Sequence, residues 1–308
     1  MGKILVTGGA GFIGSHLCQS LVKDNKIICL DNLSSGRKKN ISHLENEPNF
    51  EFLEADVTEH IGLENISQIY HLASLASPKD YLEEPVKTAL ANSIGTDNLI
   101  KLALKNNAKF LFCSTSEAYG EPLVHPQTES YWGNVNPTGI RSCYNESKRF
   151  GEALVMAYVR KHRLKGKIVR IFNTYGPRMR KHDGRVMPAF ITQALDNKDI
   201  TVFGNGAQTR SFCYVSDIIS GLDKMMDSDK TGPKNLGNDS EISILKLARL
   251  IIRLTSSDSK IVFNSLPEDD PSKRQPDVSS AREMLGWEPK VKLEEGLAKT
   301  IDWFRNNN

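Results

Sequence analysis

Short apolar runs and longer amphipathic stretches alternate along the first half of the chain. The apolar runs have the length and composition of buried strands and predict strands at residues 3–7, 26–31, 49–54, 67–73, 109–114 and 167–172. Between them, apolar positions repeat with a helical period and predict helices at residues 12–23, 85–105 and 144–161. This βαβα order is typical of a parallel sheet covered by helices on both faces. We therefore predict a Rossmann-type, doubly wound α/β fold.

The pattern becomes less regular after residue 172. Gly, Pro, Arg and Asn are frequent in NTYGPRMRKHDGRVMP (173–188) and FGNGAQTRSF (203–212), and shorter helices are predicted at residues 216–226, 242–255 and 293–305. We predict that residues 1–172 form the nucleotide-binding domain. Residues 173–308 then form a smaller C-terminal substrate-binding lobe, and we expect the chain to interleave between the two.

Composition and charge argue against several classes of protein. The 308 residues are 39% hydrophobic and 25% charged, which are ordinary values for a soluble globular chain. The 40 basic and 37 acidic side chains give a net charge of +3, which gives no support for a nucleic-acid partner. No apolar run reaches the roughly 18 residues of a membrane span, and the N-terminus enters a strand directly. We therefore predict neither a signal peptide nor a membrane anchor.

The cysteines and histidines indicate neither a metal site nor a disulfide framework. The five cysteines are odd in number, widely spaced and without a CxxC pair: Cys18, Cys29, Cys113, Cys143 and Cys213. The seven histidines show no spacing typical of metal ligands. We predict no metal, reduced thiols and a cytoplasmic location.

A glycine-rich turn joins the first predicted strand to the first predicted helix. Gly8, Gly11 and Gly14 have a GxxGxxG spacing, a variant of the dinucleotide-binding fingerprint. Glycine lets such a turn bend tightly and lets a pyrophosphate approach free N–H groups at the helix start. Asp31 ends the second predicted strand, where a carboxylate accepts the ribose hydroxyls of NAD and repels the 2′-phosphate of NADP. NAD is therefore the predicted cofactor, and Arg37 is interpreted as a solvated loop charge.

Further candidates for the cofactor site lie beside these glycines and after the later strands. An ordinary turn is the alternative interpretation of the glycines, and the presence of Asp31 argues against it. The candidates share a position at the carboxyl end of a predicted strand or at the start of the first helix. They are Gly8, Gly11, Phe12, Ile13, Asp31, Asn32, Asp56, Val57, Leu72, Ala73 and Ser74.

A tyrosine and a lysine four residues apart form the candidate catalytic pair. Tyr144 and Lys148 lie on one face of the predicted helix at residues 144–161. A nearby ammonium, together with the positive nicotinamide of NAD⁺, favours the phenolate, so we expect the pKa of Tyr144 to be lowered. A lone YxxxK pair is often a surface pair. Here Ser-Thr-Ser-Glu at residues 114–117 ends a buried strand, and such side chains point into the ligand crevice of a parallel sheet.

Longer segments extend these motifs over nearly the whole chain. They are HLASLASP (71–78), STSEAYG (114–120), YWGNVNPTGIRSCYNESKR (131–149), IFNTYGPRM (171–179), DGRV (183–186), QTRSF (208–212), YVSD (214–217), NLGN (235–238), DDPSKRQPD (269–277) and LGWEP (285–289). In this order they resemble the extended short-chain dehydrogenase/reductase superfamily, in particular its nucleotide-sugar enzymes. The chain is most similar to the UDP-glucuronate decarboxylase (UDP-xylose synthase) family, mainly through YWGNVNPTGIRSCY, STSE and KRQPD.

The resemblance implies an NAD-dependent decarboxylation of UDP-glucuronate to UDP-xylose. Tyr144 takes the proton of the sugar 4-hydroxyl while hydride moves from C4 to NAD⁺. Lys148 holds the nicotinamide ribose, so both residues also belong to the cofactor site, as does Ser114. Either Thr115 or Ser114 shares the hydrogen bond to the 4-oxygen. The 4-keto sugar then loses CO₂, is protonated at C5 and is reduced again by the retained NADH.

Three residues would surround the departing carboxylate and help to discriminate related reactions. By resemblance these are Ser116, Glu117 and Arg274, with Arg274 as a proton donor or an orienting group. dTDP-glucose dehydratases carry Asp where this chain has Ser116, and Ser cannot protonate a departing hydroxyl. GDP-mannose dehydratases share Thr-Ser-Glu, whereas 4-epimerases lack the Glu. The alternatives are another NAD-dependent nucleotide-sugar 4-epimerase or 4,6-dehydratase, a decarboxylase that releases NADH, and a non-catalytic NAD-binding scaffold.

Arginines after residue 172 are the candidate ligands for the anionic groups of a UDP-sugar. The planar guanidinium binds phosphate and carboxylate in a bidentate way, although a solvated surface charge is the alternative for each. The resemblance places Arg210, Arg274 and Asn173 at the sugar diphosphate, Arg185 at nucleotide or phosphate, and segment 201–204 at the uracil. The candidate substrate-binding residues are Thr115, Asn173, Arg185, Val202, Arg210 and Arg274.

Two of the predicted helices carry apolar faces that one chain alone need not cover. The helices at residues 85–105 and 144–161 carry Leu90, Ile94, Leu99, Leu102, Leu154 and Tyr158. By resemblance these helices pair across a four-helix homodimer interface. Burial within one chain is the alternative.

Overall fold

Six strands from the first 171 residues form most of a parallel sheet. The computed structural model describes residues 2–266 and 273–307. The strands are β1 (Lys3–Thr7), β2 (Ile27–Asp31), β3 (Phe50–Glu54), β4 (Ile66–His71), β5 (Lys109–Thr115) and β6 (Lys165–Ile171). They coincide with the six predicted strands to within two residues at either end. The strand prediction is therefore confirmed in this half of the chain.

Ten helices cover the sheets in the part of the chain that the structure describes. They are α1 (Phe12–Leu21), α2 (Pro78–Glu83), α3 (Pro85–Leu90), α4 (Thr96–Asn106), α5 (Ser142–His162), α6 (Val186–Leu195), α7 (Val215–Asp227), α8 (Ile244–Thr255), α9 (Ser279–Leu285) and α10 (Leu293–Asn306). The helix predicted at residues 85–105 is divided into α3 and α4 by a π-helical turn at Ala91–Gly95. Helices α2, α6 and α9 were not predicted.

Eight short strands come from the second half of the chain. They are β7 (Thr174–Tyr175), β8 (Ile200–Phe203), β9 (Thr209–Ser211), β10 (Cys213–Tyr214), β11 (Pro233–Leu236), β12 (Glu241–Ser243), β13 (Ile261–Asn264) and β14 (Lys273–Arg274). The main sheet has seven strands in the order β11-β6-β5-β4-β1-β2-β3, and every pairing in it is parallel. This confirms the Rossmann-type fold. The chain thus returns to the first sheet with β11, while the division at residue 172 stays a prediction.

Both faces of the main sheet are buried, which explains why the sequences of its strands are continuous apolar runs. Alternate residues of β1 show this: Leu5 packs with the helix residues Leu99 and Val155 on one face. Val6 belongs to the cluster on the other face. Because β4 lies on one side of β1 and β2 on the other, the strand order reverses there, and ligands of such sheets bind at the carboxyl ends beside this point.

The apolar faces considered for pairing are only partly covered by the chain itself. Leu99 and Leu102 are buried in the core, whereas Leu90 and Ile94 are 40% and 47% exposed. Leu154 and Tyr158 are partly buried. No helix among the described residues is both long and apolar enough to span a membrane.

Candidate active site

A cavity of about 870 Å³ lies at the carboxyl edge of the main sheet. It continues from the turn after β1 to loops and short strands that follow residue 172. Nearly all of the candidate site residues line it: Gly8, Gly11, Phe12, Ile13, Asp31, Asn32, Asp56, Val57, Leu72, Ala73, Ser74, Ser114, Thr115, Ser116, Glu117, Tyr144, Lys148, Asn173, Arg185, Arg210 and Arg274. We call the part at Gly8, Gly11 and Asp31 the glycine end, and the part at Glu117, Arg141, Arg185, Arg210 and Arg274 the arginine end.

Val202 is a candidate that does not line this cavity. Its side chain is fully buried in the core of the second half. Successive side chains of a strand point to opposite faces, and the neighbours Thr201 and Phe203 line the cavity instead. Contacts from segment 201–204 would therefore come from these two side chains.

Close backbone packing forms the glycine end. Gly8 has φ +68°, and a Cβ atom on it would lie 2.8 Å from the backbone nitrogen of Ala73. A Cβ on Gly14 would lie 2.1 Å from the carbonyl oxygen of Gly8. Helix α1 begins after Gly11 without a side-chain cap, so its first N–H groups face the cavity. This cradle fits the pyrophosphate of a dinucleotide.

Asp31 is held in place at the end of β2. Its carboxylate is nearly buried and accepts hydrogen bonds from the backbone N–H groups of Ala10 at 3.0 Å and Leu33 at 2.8 Å. Burial raises the pKa of Asp31, while these two hydrogen bonds act in the opposite direction. Next to it, the amide of Asn32 donates to Asp56 at 2.7 Å. Two carboxylates therefore border the position of an adenosine ribose, and the glycine end fits NAD.

Tyr144, Thr115 and Lys148 meet between the two ends of the cavity. Tyr144 is buried, and its phenol lies near the side chain of Thr115. Lys148 lies one turn further along α5, with Nζ 6.0 Å from the centre of the Tyr144 ring, and donates to the carbonyl oxygen of Cys113 at 2.9 Å. The predicted grouping of a phenol, an ammonium and a hydroxyl is thus present. Ser114 lies beside them, but its hydroxyl donates to Glu152 at 2.5 Å.

Without the positive nicotinamide on which the expectation for Tyr144 depends, the pKa of this phenol is raised. Burial raises the pKa of Tyr144 to about 12, and Glu117 adds to this shift, while the Thr115 side chain acts against it. Burial also lowers the pKa of Lys148 to about 8. The lysine ammonium donates to a backbone carbonyl and does not overcome the burial of the phenol. A lowered pKa of Tyr144 therefore requires a further positive charge.

A carboxylate and two guanidinium groups lie beside Tyr144 at the arginine end. Glu117 lies 3.3 Å from Arg141 and 3.5 Å from Arg274, nitrogen to oxygen. Burial raises the pKa of Glu117, but Arg274, Arg141 and Arg210 outweigh it and hold the pKa below its ordinary value. Arg274 is 1% exposed and donates to the carbonyl oxygens of Ser116 and, at 3.2 Å, Gly120.

The short strands of the second half bring distant arginines to this end. Arg210 on β9 and Arg274 on β14 are opposite residues of a parallel pairing. Arg185 precedes α6 and is held by the fully buried Asp183, which accepts from its backbone N–H at 3.0 Å and its Nε at 2.9 Å. Asn173 follows β6 and lines the same region. Of the segment DDPSKRQPD, residues 269–272 lie outside the described residues.

Two residues of this site were missed by the sequence analysis. The ring of Tyr81 lies parallel to that of Tyr144, with 5.1 Å between their centres, and the guanidinium of Arg141 lies 6.0 Å from the centre of the Tyr81 ring. Arg141 belongs to the quoted segment 131–149, directly before α5. Its position one helical turn before Tyr144 could have identified Arg141 as a site residue. Tyr81 lies on the unpredicted helix α2, and no signal marked it.

Metal ligands do not form a group in residues 2–266 and 273–307. No three His, Cys, Asp or Glu side chains are placed there to hold one ion. His71 lies at the end of β4 but is fully buried, with ring nitrogens 2.9 Å from Thr7 Oγ1 and 3.1 Å from Thr96 Oγ1. The chemistry of the described site is that of hydroxyl, ammonium, guanidinium and carboxylate groups.

Comparison with known proteins agrees with this geometry. UDP-glucuronic acid decarboxylase 6 of Arabidopsis thaliana is 52% identical over 305 residues, which cover 98% of this chain and 89% of that protein. UDP-glucuronic acid decarboxylase 1 of Xenopus tropicalis is 50% identical over 304 residues, which cover 98% of this chain and 72% of that protein.

A solved structure and a family profile extend the comparison to the fold. UDP-glucose 4-epimerase from Thermotoga maritima, solved with UDP-glucose, superposes with a TM-score of 0.91 at 32% identity and covers 99% of each chain. The profile of the NAD dependent epimerase/dehydratase family matches residues 4–238. The resemblance indicated by the sequence is thereby confirmed, and the chain belongs to the NAD dependent epimerase/dehydratase family.

Proposed function

We propose that this chain is an NAD-dependent enzyme that decarboxylates UDP-glucuronate to UDP-xylose through a 4-keto intermediate and retains its cofactor between the two redox steps. Relatives at 50% and 52% identity that carry this decarboxylase name support the proposal. The observation that carries it is the cluster of Glu117, Arg141 and Arg274 beside Tyr144. Guanidinium groups of this kind are suited to bind an anionic sugar substituent.

The glycine end supplies the residues for the cofactor. Bound NAD would accept a hydride from C4 of the sugar and return it later. The backbone at Gly8, Gly11 and the start of α1 would hold the pyrophosphate, and Asp31 would accept the adenosine ribose hydroxyls. Lys148, buried against β5, would hold the nicotinamide ribose.

Tyr144 and Thr115 would handle the proton of the sugar 4-hydroxyl. Both residues line the cavity close to each other, so a sugar hydroxyl placed between their hydroxyls would meet one acceptor and one donor. With its pKa at about 12, Tyr144 needs nearby positive charge to act as a base. Lys148 and the cationic nicotinamide of bound NAD would provide charge of that sign.

The sugar carboxylate is β to the carbonyl once C4 is oxidised, so its bond to C5 can break. CO₂ leaves, the electron pair enters an enolate that extends to the 4-oxygen, and a proton is added at C5. Thr115 and Tyr144 would stabilise the 4-oxygen through hydrogen bonds. Arg141, Arg274 and Ser116 would orient the carboxylate, and Arg274 is the candidate that directs the proton to C5.

The other groups of the substrate would lie along the rest of the arginine end. Arg210, Arg185 and Asn173 line the cavity and would bind the diphosphate. Thr201 and Phe203 line it further out and would contact the uracil. The buried Asp183 fixes the guanidinium of Arg185 in advance, which lowers the entropy cost of binding.

The test is incubation of the purified chain with UDP-glucuronate and NAD. We expect CO₂ and UDP-xylose in equal amounts without lasting absorbance at 340 nm. A Tyr144→Phe variant should lose activity by about 10³-fold, because the base is removed while the ring is kept. Lasting absorbance with a 4-keto pentose would indicate NADH release. UDP-galacturonate, a dehydrated product or no reaction would contradict decarboxylation, and unchanged activity of the variant would favour the scaffold interpretation.

We also propose a homodimer through α3, α4 and α5. Val86 is 68% exposed and Phe150 is 50% exposed, and Leu90 and Ile94 continue the same apolar surface. Two copies of this surface would form a four-helix interface. Sedimentation should show a dimer that Ile94→Arg dissociates. Leu123→Arg, at an apolar and more exposed site outside these helices, is the control; a monomeric wild type contradicts the proposal.

A cytoplasmic location is proposed from the thiols. All five cysteines are free, and four of them are buried, as expected where thiols stay reduced. Fractionation of cells that express the tagged chain would test this location. Recovery of the chain with disulfide-forming compartments would contradict it.

A further inference from the structure

A buried ion pair lies behind the catalytic side chains, and the proposed reaction does not use it. Glu152 on α5 and Arg170 on β6 are each 9% exposed. Arg170 Nε donates to Glu152 Oε1 at 2.9 Å, and its Nη2 donates to Oε2 at 2.6 Å. This is a bidentate geometry, in which each carboxylate oxygen has its own donor. Because a single buried charge costs several kcal/mol, each partner depends on the other.

Arg170 is fixed from its other side as well. Its guanidinium lies 4.7 Å from the centre of the Tyr119 ring. The Tyr119 hydroxyl in turn donates to Asn235 Oδ1 at 2.8 Å. Asn235 belongs to β11, the strand that pairs with β6. The ion pair is therefore anchored to the sheet rather than to a loop.

The pairing of β5 with β6 places Ser114 against this ion pair. Ser114 and Arg170 are opposite residues in the parallel register, so their side chains leave the sheet on the same face. Ser114 Oγ donates to Glu152 Oε1 at 2.5 Å. A hydroxyl has one hydrogen to donate, so Ser114 cannot donate it to a sugar oxygen at the same time. Thr115 is then the hydroxyl donor that remains beside Tyr144.

Lys148 lies one helical turn before Glu152 on α5. No carboxylate of the described residues lies within 4.0 Å of its Nζ, which donates to Cys113 O at 2.9 Å. The titratable groups that face Lys148 are Tyr144 and Glu152 from α5, Cys113 from β5 and His71 from β4. Burial raises the pKa of Cys113 to about 12 and lowers the pKa of His71 well below its ordinary value. Glu152 is the carboxylate of this set, and it is paired with the Arg170 guanidinium.

We propose that Glu152, fixed by Arg170, is a positioning residue of the active site: it holds the Ser114 hydroxyl away from the sugar and supplies the negative charge that keeps Lys148 an ammonium ion. The inference rests on the proposed function, in which that ammonium holds the cofactor ribose and favours the Tyr144 phenolate. Burial lowers the pKa of Lys148 to about 8, whereas Cys113 and Glu152 raise it. Without Glu152, Lys148 would lose its proton at a lower pH.

The first experiment compares pH profiles of kcat with UDP-glucuronate for the wild type and a Glu152→Gln/Arg170→Gln double variant. The double variant leaves no unpaired buried charge. We expect its alkaline limb to move down by about one pH unit or more, as for loss of a nearby opposite charge. KM should stay within about twofold, because Glu152 does not face the sugar. Glu152→Asp keeps the charge and should keep the wild-type limb.

Glu146→Gln is the matched control, because Glu146 lies on the same helix but is partly exposed and pairs with Arg149 at 3.4 Å. Its profile should be that of the wild type. The single Glu152→Gln variant retains Arg170, so its alkaline limb should move at least as far as that of the double variant. A loss of kcat that is equal at every pH would show a purely structural role and would overturn the proposal.

A second measurement does not depend on activity. The ¹³Cε resonance of Lys148, assigned by its loss in Lys148→Arg, is titrated in the wild type and in the double variant. We expect a lower pKa of Lys148 in the double variant, and equal values would overturn the proposal. A wild type that titrates as expected but does not decarboxylate UDP-glucuronate would contradict the proposed function alone.

Discussion

The glycine end of the cavity is made of backbone that follows β1, β2 and β4, whereas the arginine end is made of side chains from loops and short strands. At the glycine end, Gly8 and Gly14 bring main-chain atoms together so closely that a Cβ would collide. At the arginine end, Arg210 and Arg274 are 64 positions apart and meet because β9 pairs with β14. A backbone site tolerates almost no added volume, while a side-chain site depends on charge and reach.

The largest expected effect comes from adding volume at the glycine end. In Gly14→Val, the new Cβ would lie 2.1 Å from the Gly8 carbonyl oxygen, and backbone cannot give way cheaply. We expect NAD affinity to fall at least about 10³-fold, and the free energy of unfolding to fall by about 3 kcal/mol. Titration calorimetry measures the NAD affinity, and urea unfolding measures the free energy of unfolding. Gly62→Val is the control, because its nearest neighbour is a side-chain atom at 3.8 Å; wild-type NAD affinity in Gly14→Val would contradict a backbone-built site.

The next largest effect is expected when the shape of a side chain is changed at the arginine end and its charge is kept. Arg274→Lys keeps the charge but loses the planar fork that contacts the Ser116 and Gly120 carbonyls and Glu117. We expect kcat/KM for UDP-glucuronate to fall about 10²-fold, with NAD affinity unchanged. Arg282→Lys, in the exposed pair with Asp239 at 2.7 Å, should behave as wild type. Wild-type kcat/KM in Arg274→Lys would show that the charge alone matters and would contradict the role of the planar guanidinium.

A smaller effect is expected when charge is changed at the glycine end without a change of volume. Asp31→Asn keeps the shape but replaces one acceptor of the Ala10 and Leu33 N–H groups by a donor. NAD affinity should fall about tenfold, while KM for UDP-glucuronate stays constant at saturating NAD. Titration calorimetry measures the NAD affinity of this variant, with Asp24→Asn at an exposed position as the control. A change in substrate KM instead would place Asp31 outside the cofactor site.

The smallest effect is expected when the carboxylate that holds Arg185 is removed. Asp183→Asn removes the buried carboxylate that holds this guanidinium, but Arg185 itself remains. KM for UDP-glucuronate should rise about threefold with kcat unchanged, because only preorganisation of the partly exposed Arg185 is lost. Steady-state kinetics of this variant are compared with Asp196→Asn, which breaks the exposed pair with Lys198 at 3.0 Å. Identical KM values in the two variants would contradict this role of Asp183.

The same contrast explains what could be predicted from the sequence. The strands β1 to β6, the glycine turn and Asp31 follow from local periodicity and spacing, which act over a few residues. The strands β7 to β14 are two to four residues long and form through pairing with distant partners, so no local pattern marked them. The family resemblance, rather than periodicity, indicated Arg210 and Arg274.

The two missed residues and Val202 show where the prediction failed. Tyr81 and Arg141 become part of the site only because α2 packs beside the start of α5, which sequence spacing does not encode. Val202 was placed at the uracil because the strand bounds that decide which side chains face the cavity were not predicted. The raised pKa of Tyr144 depends on burial, which a motif does not report.

The edge strand β11 determines how late in translation the main sheet can be completed. The backbone of β6 finds its second neighbour only in Pro233–Leu236, which leaves the ribosome more than sixty residues later. Until then a nascent chain carries an open strand edge able to pair with other polypeptides. A chain that ends after β6 would therefore be prone to aggregation and would not be a smaller working protein.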